Sequence, residues 1–312
     1  MADLPSLHPA PFGAARRFPA SAAIGAPGTG FGLAVARDAS ARLAAGWLAL
    51  GIAALVGSGI FSLLLVLART PGLKEIFPVA DFFQVALVAH VDLSVLVWFL
   101  SFAGVLWSLA CDTRAIAIGW AALALCAAGT LALCLAPLAG HAVPVLANYI
   151  PVIDNGVFLG GLAVFGAGVA LAIARSFWAA RAFGPALDGE AALRGGILGS
   201  AVATAIALAA FGWSWMEISP LLERKAYFEL LFWGGGHVLQ FTWTILMLAG
   251  WLWLASALGL KLALSPRVAL LVLTIALASV FVTPVIYVAH PVASVEHHKL
   301  QTWLMRFGGG LA

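Results

Sequence analysis

The chain has 312 residues, of which 63% are hydrophobic and only 9% are charged, with a formal net charge of +3. Soluble domains carry about a quarter charged residues, so this composition excludes a secreted globular protein, a nucleic-acid-binding protein and a disordered one. The three cysteines, Cys111, Cys126 and Cys134, form no CxxC pair and lie in or beside apolar runs. They are typical of small core residues rather than of a disulfide framework or a zinc site.

Residues 1–41 are rich in Ala, Pro and Gly and show no apolar periodicity. The first hydrophobic run begins too late for a secretory signal, so we expect a flexible cytoplasmic tail over 1–41 and a transmembrane domain over 42–312. The apolar runs that follow lack the ten-residue alternation of an outer-membrane barrel, and each is long enough to cross a membrane as a helix. The pattern predicts an all-α polytopic transmembrane bundle with seven full spans, near 43–68, 83–111, 113–137, 152–176, 193–217, 227–260 and 266–289, and the start of an eighth near 296.

The basic residues of the short loops predict the orientation, because cytoplasmic loops carry the excess of Lys and Arg. The side of the tail holds ten: Arg16, Arg17, Arg37, Arg42, Arg114, Arg175, Arg181, Arg194, Lys261 and Arg267. The other side holds five: Arg69, Lys74, Arg224, Lys225 and Lys299. We therefore expect a multi-pass protein of a bacterial-type inner membrane with a cytoplasmic amino terminus and with loops 69–82, 138–151, 218–226 and 290–296 outside.

Four histidines from three segments fall at the outer half of this bundle. His90 lies roughly 11 Å below the outer end of the second span, and His237 lies roughly 15 Å below that of the sixth. His297 and His298 follow the seventh span directly. Ionisable side chains inside a membrane are costly and indicate functional sites.

Each of these features also has a structural explanation. His90 alone is compatible with a core histidine bonded to a carbonyl, and the pair 297–298 alone with surface residues. The three glycines before His237, 234–236, either permit close helix contact or clear space for a planar cofactor. Imidazole suits copper, iron and zinc, so His237, His297 and His298 favour a three-nitrogen metal site, and the isolated His90 suits an axial position on haem iron.

These residues resemble subunit I of the haem–copper oxidase superfamily, which includes the nitric oxide reductases. The run 231–237 (Leu-Phe-Trp-Gly-Gly-Gly-His) is similar to the sixth helix of that family, His297-His298 to the pair outside its seventh helix, and the segment around His90 to its second helix. The resemblance covers about 85–298. It implies that His237, His297 and His298 ligate copper and that His90 ligates a low-spin haem.

The resemblance also implies an activity and partners. Electrons from a cytochrome-carrying or other donor subunit would pass through the low-spin haem to a centre of high-spin haem and copper, where oxygen is reduced to water. The alternatives are a nitric oxide reductase of the same superfamily and a non-catalytic membrane protein that binds copper or haem. A transporter is disfavoured because the chain shows neither paired mid-depth charges nor repeat symmetry.

The chain departs from the family in two ways. The family has about twelve helices, and the tenth carries further haem ligands, so we expect this sequence to be a truncated product, although a second chain or an incomplete haem site would also account for it. One helical turn after His237 stands Phe241, where oxygen reductases often have tyrosine and nitric oxide reductases a carboxylate. Gln240 and Tyr287 are therefore the candidate catalytic residues, with an interfacial tyrosine as the alternative for Tyr287.

Overall fold

The computed structural model describes residues 30–72, 82–140, 142–181 and 186–309. These residues form helices and one hairpin of two short strands. The helices are α1 Ala39–Arg69, α2 Phe82–Val91, α3 Trp98–Ala110, α4 Ile116–Leu135, α5 Gly156–Trp178, α6 Gly189–Glu217, α7 Arg224–Ala257, α8 Pro266–Val280, α9 Val282–Ala289 and α10 Val295–Gly308. A π-helical segment, Asp92–Val97, joins α2 to α3, and a 3-10 turn, Ala136–Leu138, follows α4. The hairpin strands are β1 Pro144–Val145 and β2 Val152–Ile153.

Seven helical stretches of the described chain are long and apolar enough to cross a membrane, which confirms the seven predicted spans. They are Ala39–Arg69, Phe82–Ala110, Ile116–Leu138, Gly156–Trp178, Gly189–Glu217, Arg224–Ala257 and Pro266–Ala289. The span Gly156–Trp178 has 23 residues, so it is about 35 Å long and exceeds a hydrocarbon core of about 30 Å. The expected start of an eighth span is α10, which has 14 residues and packs against α7, α8 and α9.

Small residues let neighbouring spans approach closely. A Cβ on Gly129 of α4 would lie 2.6 Å from the Gly161 carbonyl oxygen of α5, and one on Gly168 would lie 2.8 Å from the Ala122 carbonyl oxygen. Such contacts drive helix association where lipid removes the hydrophobic effect between helices. The α4–α5 pair is therefore packed backbone against backbone.

One end of the bundle, which we call the arginine end, is tied together by guanidinium groups. Arg175 is buried and donates to the Asp112 carbonyl at 2.8 Å and to Ser40 Oγ at 3.1 Å, and Arg181 pairs with Asp38 at 3.5 Å. These bonds join the starts of α1 and α4 to the end of α5. The opposite end carries His237, His297 and the hairpin, and we call it the histidine end.

The expected tail divides into two parts. Residues 1–29 lie outside the described residues. From Gly30 onward the chain is packed on the arginine end: Phe31 is buried, its N–H donates to Ser256 Oγ at 2.9 Å, and Asp38 caps α1. The packed part of the chain thus begins before residue 42, because Phe31 buries its ring and Asp38 supplies the helix cap.

Candidate metal centre

His237 is held on both sides of its ring. Its Nδ1 lies 2.6 Å from the Trp233 carbonyl oxygen, and its Nε2 lies 2.9 Å from the Tyr149 hydroxyl. Because a carbonyl only accepts, Nδ1 carries the hydrogen and Nε2 offers its lone pair to the Tyr149 O–H. The imidazole is 1% exposed, so both contacts are made inside the protein.

The three glycines before His237 face three aromatic side chains. A Cβ on Gly234 would lie 3.0 Å from Tyr287 Cζ, one on Gly236 would lie 2.6 Å from Tyr149 Cβ, and one on Gly235 would contact Phe211 and lie 2.8 Å from the Ala207 carbonyl oxygen. The space that the missing side chains leave is therefore occupied by aromatic rings and the backbone of α6. Of the two explanations left open by the sequence, this arrangement favours close packing.

Tyr149 is a site residue that the sequence analysis missed. It lies in the loop between α4 and α5 with a positive φ of 69°, a conformation that strains a non-glycine residue and recurs at functional sites. Glu229 of α7 fixes the loop by accepting from the Asn148 N–H at 2.9 Å and from its side-chain amide. The one available signal was that Asn148-Tyr149 is followed by Ile150-Pro151, a composition typical of a turn.

The Tyr149 phenol remains a hydrogen-bond donor at neutral pH. Burial, together with the Glu229 carboxylate, raises the pKa of Tyr149 to about 12. The O–H is therefore retained and donates a hydrogen bond to His237 Nε2.

Trp233 connects His237 to His298. Its indole stacks on the His298 ring with centroids 3.6 Å apart, its Nε1 donates to the His298 carbonyl at 3.2 Å, and its centroid lies 4.8 Å from that of His237. Burial lowers the pKa of His298, which keeps the imidazole neutral at pH 7.

His297 is the most deeply buried of the histidine pair. It is 1% exposed, its Nδ1 lies 3.2 Å from the His290 carbonyl, and its Nε2 has no hydrogen-bond partner within the described chain. Burial lowers the pKa of His297, so this ring is also neutral. Its ring meets Tyr287 edge-on, with centroids 4.5 Å apart.

Tyr287 lies inside the protein rather than in an aromatic belt. It is buried, and its hydroxyl lies 2.8 Å from Ser214 Oγ. This burial disfavours the interfacial alternative for Tyr287, because the missing side chain of Gly234 makes room for the phenol between α7 and α9. A carboxylate holds the adjacent loop: Glu217 accepts from the Val292 N–H at 2.7 Å.

His90 lies apart from these residues and is bonded to α1. Its Nδ1 lies 3.0 Å from the Ser58 carbonyl oxygen and 2.9 Å from Ser58 Oγ, and the Ser58 hydroxyl donates to the His90 carbonyl at 3.0 Å. The carbonyl fixes the hydrogen on Nδ1, which leaves Nε2 with a lone pair. His90 is thus bonded to a carbonyl, as one explanation expected, in the tautomer that an iron ligand requires.

The candidate Gln240 is placed less favourably. It is partly exposed, and its backbone carbonyl accepts from the Thr244 hydroxyl at 2.8 Å on an exposed face of α7. The structure thus brings His237, His297, His298 and Tyr287 into one region and leaves Gln240 at its edge.

His90, His237 and His297 share one feature, which is that each directs Nδ1 at a backbone carbonyl. Metal-ligating histidines almost always anchor the second ring nitrogen in this way, which fixes the ligating tautomer. No three His, Cys, Asp or Glu side chains of the described residues stand close enough to hold a metal ion together. The donor type and tautomer therefore fit copper, whereas the positions of the rings do not gather around one point.

Comparison with known proteins shows relatives of undetermined role. The chain is 27% identical to an uncharacterized protein of Rickettsia prowazekii, over 86% of this chain and 58% of that protein. It is 28% identical to an uncharacterized protein of Aquifex aeolicus, over 85% of this chain and 65% of that protein. The chain therefore spans less than two thirds of the length of these relatives. No family model matches the chain, and no solved structure does.

Proposed function

We propose that this chain is part of a membrane respiratory oxidase of the haem–copper type, which reduces oxygen to water. In this proposal His237, His297 and His298 hold copper, and His90 holds the iron of a low-spin haem. The partners are a subunit that donates electrons and the bilayer itself. Bound iron and copper would supply the redox chemistry.

The observation that carries the proposal is the shared tautomer of the three buried or half-buried histidines. Each anchors Nδ1 on the carbonyl of Ser58, Trp233 or His290 and presents Nε2 as a lone pair. A single buried histidine would bond a carbonyl for structural reasons alone, so the support comes from the same arrangement on three separate helices. The neutral state of His297 and His298, favoured by burial, is the state that binds metal.

The arrangement would have to change for copper to be held by all three histidines. The Tyr149 hydroxyl would have to leave His237 Nε2, and the rings of His237, His297 and His298 would have to come closer together. His297 needs no such release, because its Nε2 has no partner in the part of the chain that the structure describes. We therefore assign His297 as the first copper contact.

The orientation belongs to the same proposal. The arginine end holds Arg175, Arg181 and Arg114, whereas the histidine end holds carboxylates such as Glu217 and Glu229 that fix its loops. By the distribution of basic residues, the arginine end would face the cytoplasm of a bacterial cell and the histidines the outer half of the membrane.

The test is metal analysis and a reduced-minus-oxidised optical spectrum of the purified protein, as wild type and as variants. His237→Ala and His297→Ala should each abolish stoichiometric copper but retain low-spin haem bands, and His90→Ala should do the reverse. His290→Ala is the matched control, because this partly buried side chain lies between α9 and α10, shortly before His297 and His298, but is assigned no ligand role.

The outcomes separate the alternatives. Copper without haem would favour a non-catalytic copper-binding protein, and oxygen-independent turnover with nitric oxide would favour the reductase. Retention of copper in His237→Ala, or the lack of both metals in the wild type, would refute the proposal.

A further inference from the structure

Three buried side chains on α9 and α10 carry polar atoms that lack hydrogen bonds among the described residues. These atoms are His297 Nε2, Gln301 Oε1, Gln301 Nε2 and Thr283 Oγ1, four of the ten such side-chain atoms in the described residues. Gln301 is 0% exposed, and Thr283 and His297 are each 1% exposed. Native proteins rarely leave such groups without a partner.

Two recorded contacts set how α10 pairs with α9 and the end of α8. The rings of Tyr287 on α9 and His297 on α10 meet at 4.5 Å, and further along the two antiparallel segments Ser279 Oγ donates to the Gly308 carbonyl at 2.6 Å. Thr283 stands one turn from Tyr287, and Gln301 stands one turn from His297 on the same helix face. Both therefore fall between the two recorded contacts, opposite each other.

A proline removes one helical hydrogen-bond donor at this level. Pro284 has no N–H, so it cannot donate to the carbonyl of Val280, four residues earlier. The helix is interrupted at this place, between the end of α8 at Val280 and the start of α9 at Val282. The break and the three polar side chains coincide.

We infer that α9 and α10 enclose a binding site for internal water, lined by Thr283, His297 and Gln301. The donors and acceptors match water, because His297 Nε2 accepts, the Gln301 amide both donates and accepts, and the Thr283 hydroxyl does either. Buried water typically makes about three hydrogen bonds to groups of this kind. The site does not rest on the proposed metals, since copper on His297 would leave Gln301 and Thr283 still unpartnered.

The test is hydroxyl-radical footprinting by X-ray radiolysis of the chelator-treated, detergent-solubilised protein, followed by mass spectrometry. Radiolysis forms the radical from water in place, so side chains that touch internal water are oxidised even when bulk solvent does not reach them. Tyr287 and His297 should be oxidised on the order of tenfold faster than Trp47, which is equally buried but lies in an apolar part of the core. Trp47 is a stringent control because indole is intrinsically the more reactive ring.

Removing the polar groups should remove the water. Gln301→Leu and Thr283→Val should lower oxidation of Tyr287 and His297 towards the rate of Trp47, whereas Thr274→Val, at an exposed position of α8, should leave it unchanged. Oxidation of Tyr287 and His297 no faster than that of Trp47 in the wild type would overturn the inference without any variant. Unchanged oxidation in folded Gln301→Leu would also overturn it.

Discussion

If the chain binds copper as proposed, replacing Tyr149 by Phe should tighten that binding. The aromatic ring remains beside Gly236, but the hydroxyl that lies 2.9 Å from His237 Nε2 is lost. In the proposed site copper would have to displace this hydroxyl, and a hydrogen bond of this kind contributes about 0.5–1.5 kcal/mol net. Since each 1.4 kcal/mol is about tenfold in affinity, the dissociation constant should fall roughly 2- to 12-fold.

The assay is a competition titration of purified, metal-free protein with copper(I) and a chromophoric chelator. Tyr287→Phe is the matched control: it also removes a buried hydroxyl, but that hydroxyl bonds Ser214 rather than an imidazole. Its copper affinity should stay within about twofold of wild type. Weaker copper binding in Tyr149→Phe would show that the phenol helps to hold the metal or the histidine, and would refute the reasoning.

Three further substitutions, two of them with a control variant, test packing and buried charge by thermal unfolding in detergent. Gly235→Ala places a Cβ 2.8 Å from the Ala207 carbonyl and should lower the free energy of unfolding by about 1–3 kcal/mol. The control Gly250→Ala, in the same helix, meets nothing within 4 Å and should raise it by up to about 1 kcal/mol. Equal effects would contradict the packing assignment. Asp92→Leu should stabilise the protein by about 1–3 kcal/mol, because the Asp92 carboxyl is 1% exposed and has no partner among the described residues; a lower melting temperature would mean that it has one. Arg175→Met removes charged hydrogen bonds to Ser40 and Asp112 and should lower the free energy of unfolding by about 1.5–3 kcal/mol. The side chain of Arg114 is 57% exposed, so the control Arg114→Met should lower it by at most about 1 kcal/mol. The reverse order would place the structural role at Arg114.

The spans were predictable because hydropathy and length decide them. A membrane requires every backbone group of a span to be bonded internally, so an apolar run of sufficient length has to be a helix whatever its neighbours are. This argument is local, and it places the seven spans with end points that differ from the structure by a few residues. It does not specify the irregular segment Asp92–Val97, since no proline or glycine marks it.

The partners of the histidines were not predictable for the opposite reason. Tyr149 reaches His237 across 88 positions of sequence, from a loop with no periodicity. The contact depends on the missing side chain of Gly236 and on the bond from Asn148 to Glu229, and each of these alone is compatible with many arrangements. The ligand roles of His90, His237, His297 and His298 remain predictions that metal analysis has to decide.

The loop before α5 therefore supplies the group that occupies His237 Nε2. The glycines at 234–236 admit aromatic rings from three directions, but only Tyr149 offers a polar atom to an imidazole nitrogen. A carboxylate on α7 itself, Glu229, holds that loop in place, so the helix that carries His237 also fixes the group that competes for it. His297 has the same tautomer without a competitor on its Nε2 in the described chain. If metal binds here, it should bind first at His297 and be completed at His237 only when the Tyr149 hydroxyl has moved away.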